Sequence, residues 1–253
     1  MKTESPELRV AEVEATTPYG DERHKSEQVR EMFDSIAPAY DFMNRAMTLG
    51  IDKLWRAKAV RMIKKSAPLT ILDVATGTGD LAIKMARSMP QATVTGLDLS
   101  AGMVERGNAK VAKAGLSSRV KLEVGDSLAM PYADGSFDCV TVAYGVRNFE
   151  HLLQGYREMA RVLRPGGMLV VIELSTPTSR LVKPLYRFYT RRVIPAVGRM
   201  VSKDSRAYTY LPESIEAVPQ GSAMTALMAE AGFSHTQFKP LTFGTCTIYV
   251  AIA

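Results

Sequence analysis

Between Leu69 and Leu174 the chain alternates short apolar runs with stretches of helical periodicity, and this alternation restricts the fold more than any other feature. Leu69–Val74 reads as a buried strand and Asp80–Ser88 as a helix; Ala92–Leu97 and Ala101–Ala114 repeat the pair, with Gly115 ending the second helix. Val120–Val124, Phe137–Ala143 and Met168–Leu174 read as three more strands, with a helix over Glu150–Leu163 and a turn at Arg164–Gly167. Short strands that are apolar throughout are buried on both faces. With helices between them, they predict an α/β fold built on a mostly parallel sheet covered on both sides. A helix over Ser222–Ala231 and two last strands, Phe233–Leu241 and Cys246–Ile252, predict a hairpin at a sheet edge.

Ahead of the sheet, Val29, Met32, Phe33 and Ile36 recur at three- and four-residue spacing, so a helix is predicted from Lys25 to the break at Pro38. A second is predicted over Asp52–Ile63. Residues 1–20 hold no sustained apolar period and are expected to form a flexible tail. The expected organisation is that tail and a single domain over 21–253, with a helical lid at 21–66 and a basic insertion at 176–218. No apolar run reaches membrane-spanning length, and the polar N-terminal stretch does not read as a signal peptide. Cys139 and Cys246 read as reduced thiols, so a cytoplasmic location is expected. His24, His151 and His235 are scattered, and no metal is expected.

Between the first strand and its helix lies Leu72-Asp73-Val74-Ala75-Thr76-Gly77-Thr78-Gly79-Asp80. Glycines there permit a tight turn and close approach of a ligand to the helix N-terminus. Such a turn is a weak signal alone, because many merely connect elements. Its spacing lacks the three glycines of a dinucleotide fingerprint, which disfavours a nicotinamide enzyme. Asp98, at the end of the second strand, stands where a carboxylate accepts from ribose hydroxyls; it could instead cap the following helix, a role open also to Ser100. Gly125-Asp126-Ser127 ends the third strand, where an Asp can accept an adenine amine, and Ala143-Tyr144-Gly145 ends the fourth. All these ends fall on one edge of the sheet.

Asp73-Val-Ala-Thr-Gly-Thr-Gly, Asp98, Gly125-Asp126-Ser127, Asp134–Asp138 and Arg164-Pro-Gly-Gly together resemble the ordered motifs of Rossmann-like class I methyltransferases that use S-adenosylmethionine. That resemblance implies a seven-stranded sheet with an antiparallel last strand. Tyr40-Asp-Phe-Met-Asn44, Met47-Thr-Leu-Gly-Ile, Trp55-Arg56, Gly145–Phe149, Arg161–Ser175 and Tyr208–Ile215 resemble, more narrowly, the demethylmenaquinone and ubiquinone C-methyltransferase family. The similarity runs from about Val29 to Tyr249. Thr48, Asp52 and Arg164 depart from the family's usual Ser, His and Lys, and Ala143 from an occasional Ser. Carried over by position, the resemblance implies cofactor contacts at Thr78, Asp98, Asp126 and Ser127, with Asp73, Gly77 and Gly79 in the glycine-rich turn. It implies C-methylation of a prenylated quinol, with demethylmenaquinol the first expectation; a methoxy-benzoquinol of ubiquinone biosynthesis, both quinols, or another phenolic or lipid acceptor are the alternatives.

Methyl transfer to a ring carbon needs a positioned phenolate and a route for the ring proton. Arg147 and Asn148 follow the fourth strand and are the candidates to stabilise the phenolate and bind a ring oxygen. Arg147 could alternatively pair with a lid carboxylate such as Glu31 or Asp34. Tyr40 is the third candidate, or else a lid residue with its hydroxyl in solvent. Trp55 is read as core, or as a wall for the ring. Between Ser179 and Lys203 lie seven Arg and Lys side chains with no acidic residue, interleaved with Leu181, Leu185, Phe188, Tyr189 and Val193. Three readings stand for this segment: transient contact with an anionic membrane surface at the inner face of the membrane, ordinary packing with a solvated basic rim, and nucleic acid. No nucleic-acid motif accompanies it, so none is expected to bind. A homodimer is expected, and a non-catalytic cofactor-binding scaffold is the rival from outside enzymes.

Overall fold

The computed structural model describes residues 6–196 and 206–253. Its centre is a seven-stranded sheet of β1 (Thr70–Val74), β2 (Thr93–Asp98), β3 (Val120–Val124), β4 (Phe137–Ala143), β5 (Leu163–Leu174), β6 (Ser234–Leu241) and β7 (Cys246–Ile252). The strand order is β3-β2-β1-β4-β5-β7-β6. β3 through β5 pair in parallel, and β7 runs antiparallel to both β5 and β6. The expected antiparallel last strand is therefore present, set between its neighbours rather than at the edge.

Alternate strand residues feed two cores. Leu72, Val140, Val142, Leu169 and Val171 face α7 (Leu152–Val162) and α10 (Ser222–Glu230). Ile71, Val94, Cys139, Val170 and Ile172 face α4 (Asp52–Ile63), α5 (Asp80–Ser88) and α6 (Ala101–Lys113). Strands with side chains buried on both faces explain why their sequences are apolar throughout. The order reverses between β1 and β4, since β2 and β3 lie on one side and β5 on the other. Outside the carboxyl ends of the strands at such a reversal is where open α/β sheets bind ligands.

A third core covers that edge. It joins Met32 and Ile36 of α2 (Lys25–Ile36) and Met43 of α3 (Tyr40–Met47) to Ile194 and to Ala207, Tyr208 and Tyr210 of α9 (Arg206–Ala217). The expected helical lid and helical insertion thus meet over the crevice. Two carboxylates help fasten the lid: Asp34 Oδ1 accepts from Ser100 Oγ at 2.5 Å and Gly102 N at 3.0 Å, and Asp41 Oδ1 accepts from Thr78 Oγ1 at 2.5 Å. α3 was not expected, because Pro38 reads as an end; the chain restarts its helix two residues later.

Two further differences have physical causes. Residues 6–15, expected within a flexible tail, form helix α1 (Pro6–Ala15), because tertiary contacts supply what its weak amphipathic pattern does not. Val13 is fully buried, Arg9 Nη1 donates to Glu216 O at 2.9 Å, and Glu14 accepts from Leu152 N at 2.8 Å. The Arg164–Gly167 turn is instead absorbed into β5, which starts at Leu163 with a register shift against β4 and a left-handed Gly166 (φ 77°). In the basic segment, α8 (Val182–Phe188) runs on as a wider helical turn over Tyr189–Val193. Arg199 and Lys203 lie outside the described residues. No helix among the described residues is long and apolar enough to cross a membrane.

Candidate active site

Two cavities dominate the carboxyl edge, beside a recess of about 20 Å³ lined by Asp73, Thr76 and Thr78. The smaller, about 70 Å³, lies over the ends of β1 to β4 and is lined by Gly77, Asp98, Asp126 and Ser127, with Val29 and Phe33 of the lid. The larger, about 230 Å³, lies between the lid and the insertion and is mostly apolar and aromatic, from Met32, Ile36, Met43, Met47, Trp55, Tyr186, Tyr189 and Tyr210. Phe33, Tyr40, Tyr144 and Asn148 line both, so they form the wall that the two share. Arg147 lines the larger one only.

In the smaller cavity, Asp98 is held by backbone. Its Oδ2 accepts from Gly77 N at 2.7 Å and its Oδ1 from Ser100 N at 2.9 Å. Gly77 is left-handed (φ 57°), which turns its N–H toward that carboxylate. Burial pushes the Asp98 carboxyl up to about 6, against the opposing pull of those N–H groups. Ser100, not Asp98, caps α6 by accepting from Met103 N at 3.1 Å, which leaves the Asp98 carboxylate to the cleft. Asp126 Oδ1 accepts from Leu128 N at 2.8 Å, a local turn that fixes Asp126 at the end of β3.

Three of the expected cofactor residues are not on this wall. Asp73 is buried in β1, accepting from Thr76 and Thr141 hydroxyls at 2.7 and 2.6 Å, and burial pushes its carboxyl up to about 6. It ties the glycine-rich turn to β4. The Thr78 hydroxyl is taken by Asp41 and by Lys110, whose Nζ donates to it at 2.9 Å. Gly79 serves packing: φ is 76°, and a Cβ would stand 2.8 Å from Leu122 Cδ1.

On the larger cavity, Arg147 does not meet Glu31 or Asp34. Glu31 pairs with Arg23, and Asp34 caps α6. Instead Arg147 Nη1 donates to Glu173 Oε1 at 2.8 Å and to the Tyr144 carbonyl. Burial disfavours the guanidinium charge, but Glu173, with Tyr40 and Tyr210, more than offsets this and keeps Arg147 protonated. Glu173 was legible as a carboxylate inside an apolar strand, a placement that demands a buried partner. From above, Lys25 Nζ donates to the carbonyls of Arg147, at 3.2 Å, and Val13. Burial pushes Lys25 down to about 7. Arg147 Nε and Asn148 Oδ1 are buried without a protein partner. Tyr40 is at the shared wall rather than in solvent, and burial raises its hydroxyl above the usual range. Trp55 is buried, donating from Nε1 to Thr242 Oγ1 at 2.8 Å, and it also lines the larger cavity.

A reversed parallel sheet with an acidic strand end in the crevice and a lidded apolar cavity beside it is the architecture of an S-adenosylmethionine-dependent methyltransferase. The fold matches the apo structure of one such enzyme, SibL, with a TM-score of 0.61 at 21% identity, over 81% of this chain and 56% of that one. Within that class, the chain belongs to the ubiE/COQ5 methyltransferase family, whose model matches residues 21–253. It is 47% identical over 238 residues to the demethylmenaquinone methyltransferase of Bacteroides fragilis, covering 94% of this chain and 97% of that protein. It is also 47% identical over 226 residues to the ubiquinone/menaquinone biosynthesis C-methyltransferase UbiE of Geotalea daltonii, covering 89% of this chain and 96% of that one.

Proposed function

We propose that this enzyme methylates a ring carbon of a prenylated quinol, with demethylmenaquinol as its acceptor. The observation that carries the reading is the shared wall: Tyr40, Tyr144 and Asn148 divide a cleft with a nucleoside-binding donor set from an apolar cavity suited to an aromatic ring. The residues fit S-adenosylmethionine, since Asp98 offers a half-buried carboxylate to ribose hydroxyls and Asp126 an acceptor for an adenine amine. When bound, the donor supplies an electrophilic methyl group on a sulfonium.

The chain's own groups then act on the acceptor. Arg147, held charged by Glu173, stabilises negative charge on a quinol oxygen and so makes the neighbouring carbon nucleophilic. Asn148 orients the ring at the wall, and the lid helices exclude bulk water. With the ring held at the wall, that carbon would accept the methyl group the donor supplies, and its proton would then pass to a water that Arg147 would orient, restoring aromaticity. The name of the Bacteroides fragilis relative favours the naphthoquinol; that of the Geotalea daltonii relative favours activity on both quinols as the second reading.

The prenyl tail gives the basic segment a task. α8 turns Tyr186, Tyr189 and Thr190 toward the larger cavity, while Leu181, Leu185 and Phe188 are 89%, 70% and 62% exposed. We take this exposed stripe, with Arg180 and Arg192 exposed on the same segment, as a contact with an anionic membrane surface. The test of the acceptor is turnover with labelled S-adenosylmethionine and two short-chain quinols offered separately, demethylmenaquinol and a methoxy-benzoquinol lacking the ring methyl. Label on the naphthoquinol alone fits the first reading and label on both fits the second. Label on neither, with donor binding intact, overturns the quinol assignment.

A further inference from the structure

Tyr144 is the one residue of the shared wall whose backbone is strained and whose polar group is buried without a protein partner. It directly follows β4 with φ at 63°, a left-handed conformation that a bulky side chain rarely adopts. Neighbours on three sides enforce it. Its N–H donates to Ile172 O at 2.7 Å, continuing the β4–β5 ladder, and its carbonyl accepts from Arg147 Nη1. The next residue, Gly145, lies so close to the glycine-rich turn that a Cβ would stand 2.6 Å from Ala75 Cβ. Strain held this way persists where the side chain it aims has a task.

The aim is toward the acceptor. The Tyr144 ring centroid lies 6.5 Å from that of Trp55, edge to face, and 5.2 Å from the Arg56 guanidinium carbon. Trp55, Arg56 and Asp52 line the larger cavity and not the donor cleft. The Tyr144 hydroxyl is buried, and no protein atom accepts from it or donates to it. A buried hydroxyl left unpaired is destabilising unless a ligand pairs it. Burial raises its pKa far above the ordinary tyrosine value, so at neutral pH the group is a hydrogen-bond donor and not a base.

We propose that Tyr144 is a substrate-contacting residue: its hydroxyl donates a hydrogen bond to a ring oxygen of the acceptor, on the side of the ring opposite Arg147. Two donors, one cationic and one neutral, would then fix both oxygens of a para-quinol and set which ring carbon meets the methyl group. The proposal rests on the quinol reading above.

The experiment is Tyr144→Phe, which keeps the ring against Trp55 and Arg56 and removes only the hydroxyl. Three readouts are taken beside wild type: quinol turnover, donor affinity by calorimetry, and the thermal midpoint of the ligand-free protein. The expected result is a fall in kcat/KM for the quinol of about threefold to tenfold, the range for a neutral hydrogen bond, because Arg147 takes the ionised oxygen and Tyr144 the other. Donor Kd stays within about twofold, and the ligand-free midpoint does not fall, since no protein partner is lost. A lowered midpoint would make the hydroxyl structural, and a shifted donor Kd with normal quinol kcat/KM would move it to the donor; either overturns the proposal. Wild-type turnover matched by the variant overturns it alone. Absence of wild-type turnover on any quinol overturns the quinol reading and this proposal together.

Discussion

Arg147 Nη1 stands 2.8 Å from Glu173 Oε1 in an ion pair whose side chains are both almost fully buried, with Arg147 on the cavity wall and Glu173 in the sheet beneath it. A pair of this kind contributes little net stability, but removing one partner strands a buried charge at a cost of about 3–5 kcal/mol. The arrangement therefore fixes a cation beside the acceptor. Glu173→Gln should lower unfolding stability by about 3 kcal/mol, because the amide keeps an acceptor but not the charge. Arg147→Ala should lower kcat by about a hundredfold with donor Kd near normal, as when a transition-state contact is lost. Urea unfolding and steady-state kinetics read the two. A weakened donor Kd with normal kcat in Arg147→Ala would place Arg147 in the donor site.

Asp98 gives the donor affinity a pH dependence with a definite sign. Its carboxyl in the folded protein titrates near 6, above the ordinary 3.8, so the folded state holds a proton that the unfolded state has lost between those values. Stability of the ligand-free protein accordingly declines as pH rises through about 4 to 6. Ribose hydroxyls need the ionised form as acceptor, so donor binding releases that proton. Donor affinity should weaken by about tenfold per pH unit below pH 6 and be flat above it. Calorimetry from pH 5 to 8 measures this. Asp98→Asn should bind more weakly at all pH values and lose the slope; an unchanged slope would assign the titration to another group.

The sheet was legible because burial on both faces forces apolar strands, and that signal is local. That Asp98, Asp126, Ser127 and Gly77 would line one cleft was legible for a related reason, since strand ends on one edge of a parallel sheet converge whatever lies above them. That Thr78 and Gly79 lie off that cleft was not, because sequence cannot tell a turn residue facing a cleft from its neighbour facing a lid carboxylate or a packed leucine. The partner of Arg147 was not legible, although Glu173 in an apolar strand was the clue; the chain's distance between residues 147 and 173 gives no contact by itself. α1 was hidden for a different reason. Its helix rests on Arg9, Val13 and Glu14 meeting residues near positions 150 and 216, and none of those meetings leaves a mark on residues 6–15.

Lys25 predicts an opposite pH effect at higher pH. Its ammonium is buried against two backbone carbonyls, and burial brings it down to about 7 from 10.5. Between those values the unfolded chain binds the proton that the folded one has released, so stability rises with pH across the window. The difference in thermal midpoint between wild type and Lys25→Met should therefore grow in favour of wild type from pH 6.5 to 9. A constant difference would mean that Lys25 does not titrate in the folded protein. Because Lys25 ties α1 to the Arg147 carbonyl, the variant should also lose kcat with little change in donor Kd.

The exposed stripe of α8 separates apolar insertion from charge attraction. Arg187 and Arg191 turn to Glu216, at 3.6 and 2.5 Å, which leaves the exposed Arg180 and Arg192 for the surface. Basic residues near an anionic bilayer contribute about 1 kcal/mol each and are screened by salt. Two basic residues alone would give weak binding that vanishes at high ionic strength. Leu181, Leu185 and Phe188 follow each other at spacings of four and three, on one helical face, and their insertion would add a contribution that salt does not screen. Replacing all three with Ser keeps every charge. The variant should lose salt-resistant binding to vesicles containing phosphatidylglycerol, with donor affinity and turnover of a water-soluble short-chain quinol unchanged. Turnover of a long-chain quinol presented in those vesicles should fall by about tenfold or more, as expected from losing roughly 1.4 kcal/mol or more of surface affinity. Sedimentation of both proteins with vesicles at low and high salt decides it: equal binding at both would remove the stripe from the membrane and return it to a solvent-exposed face.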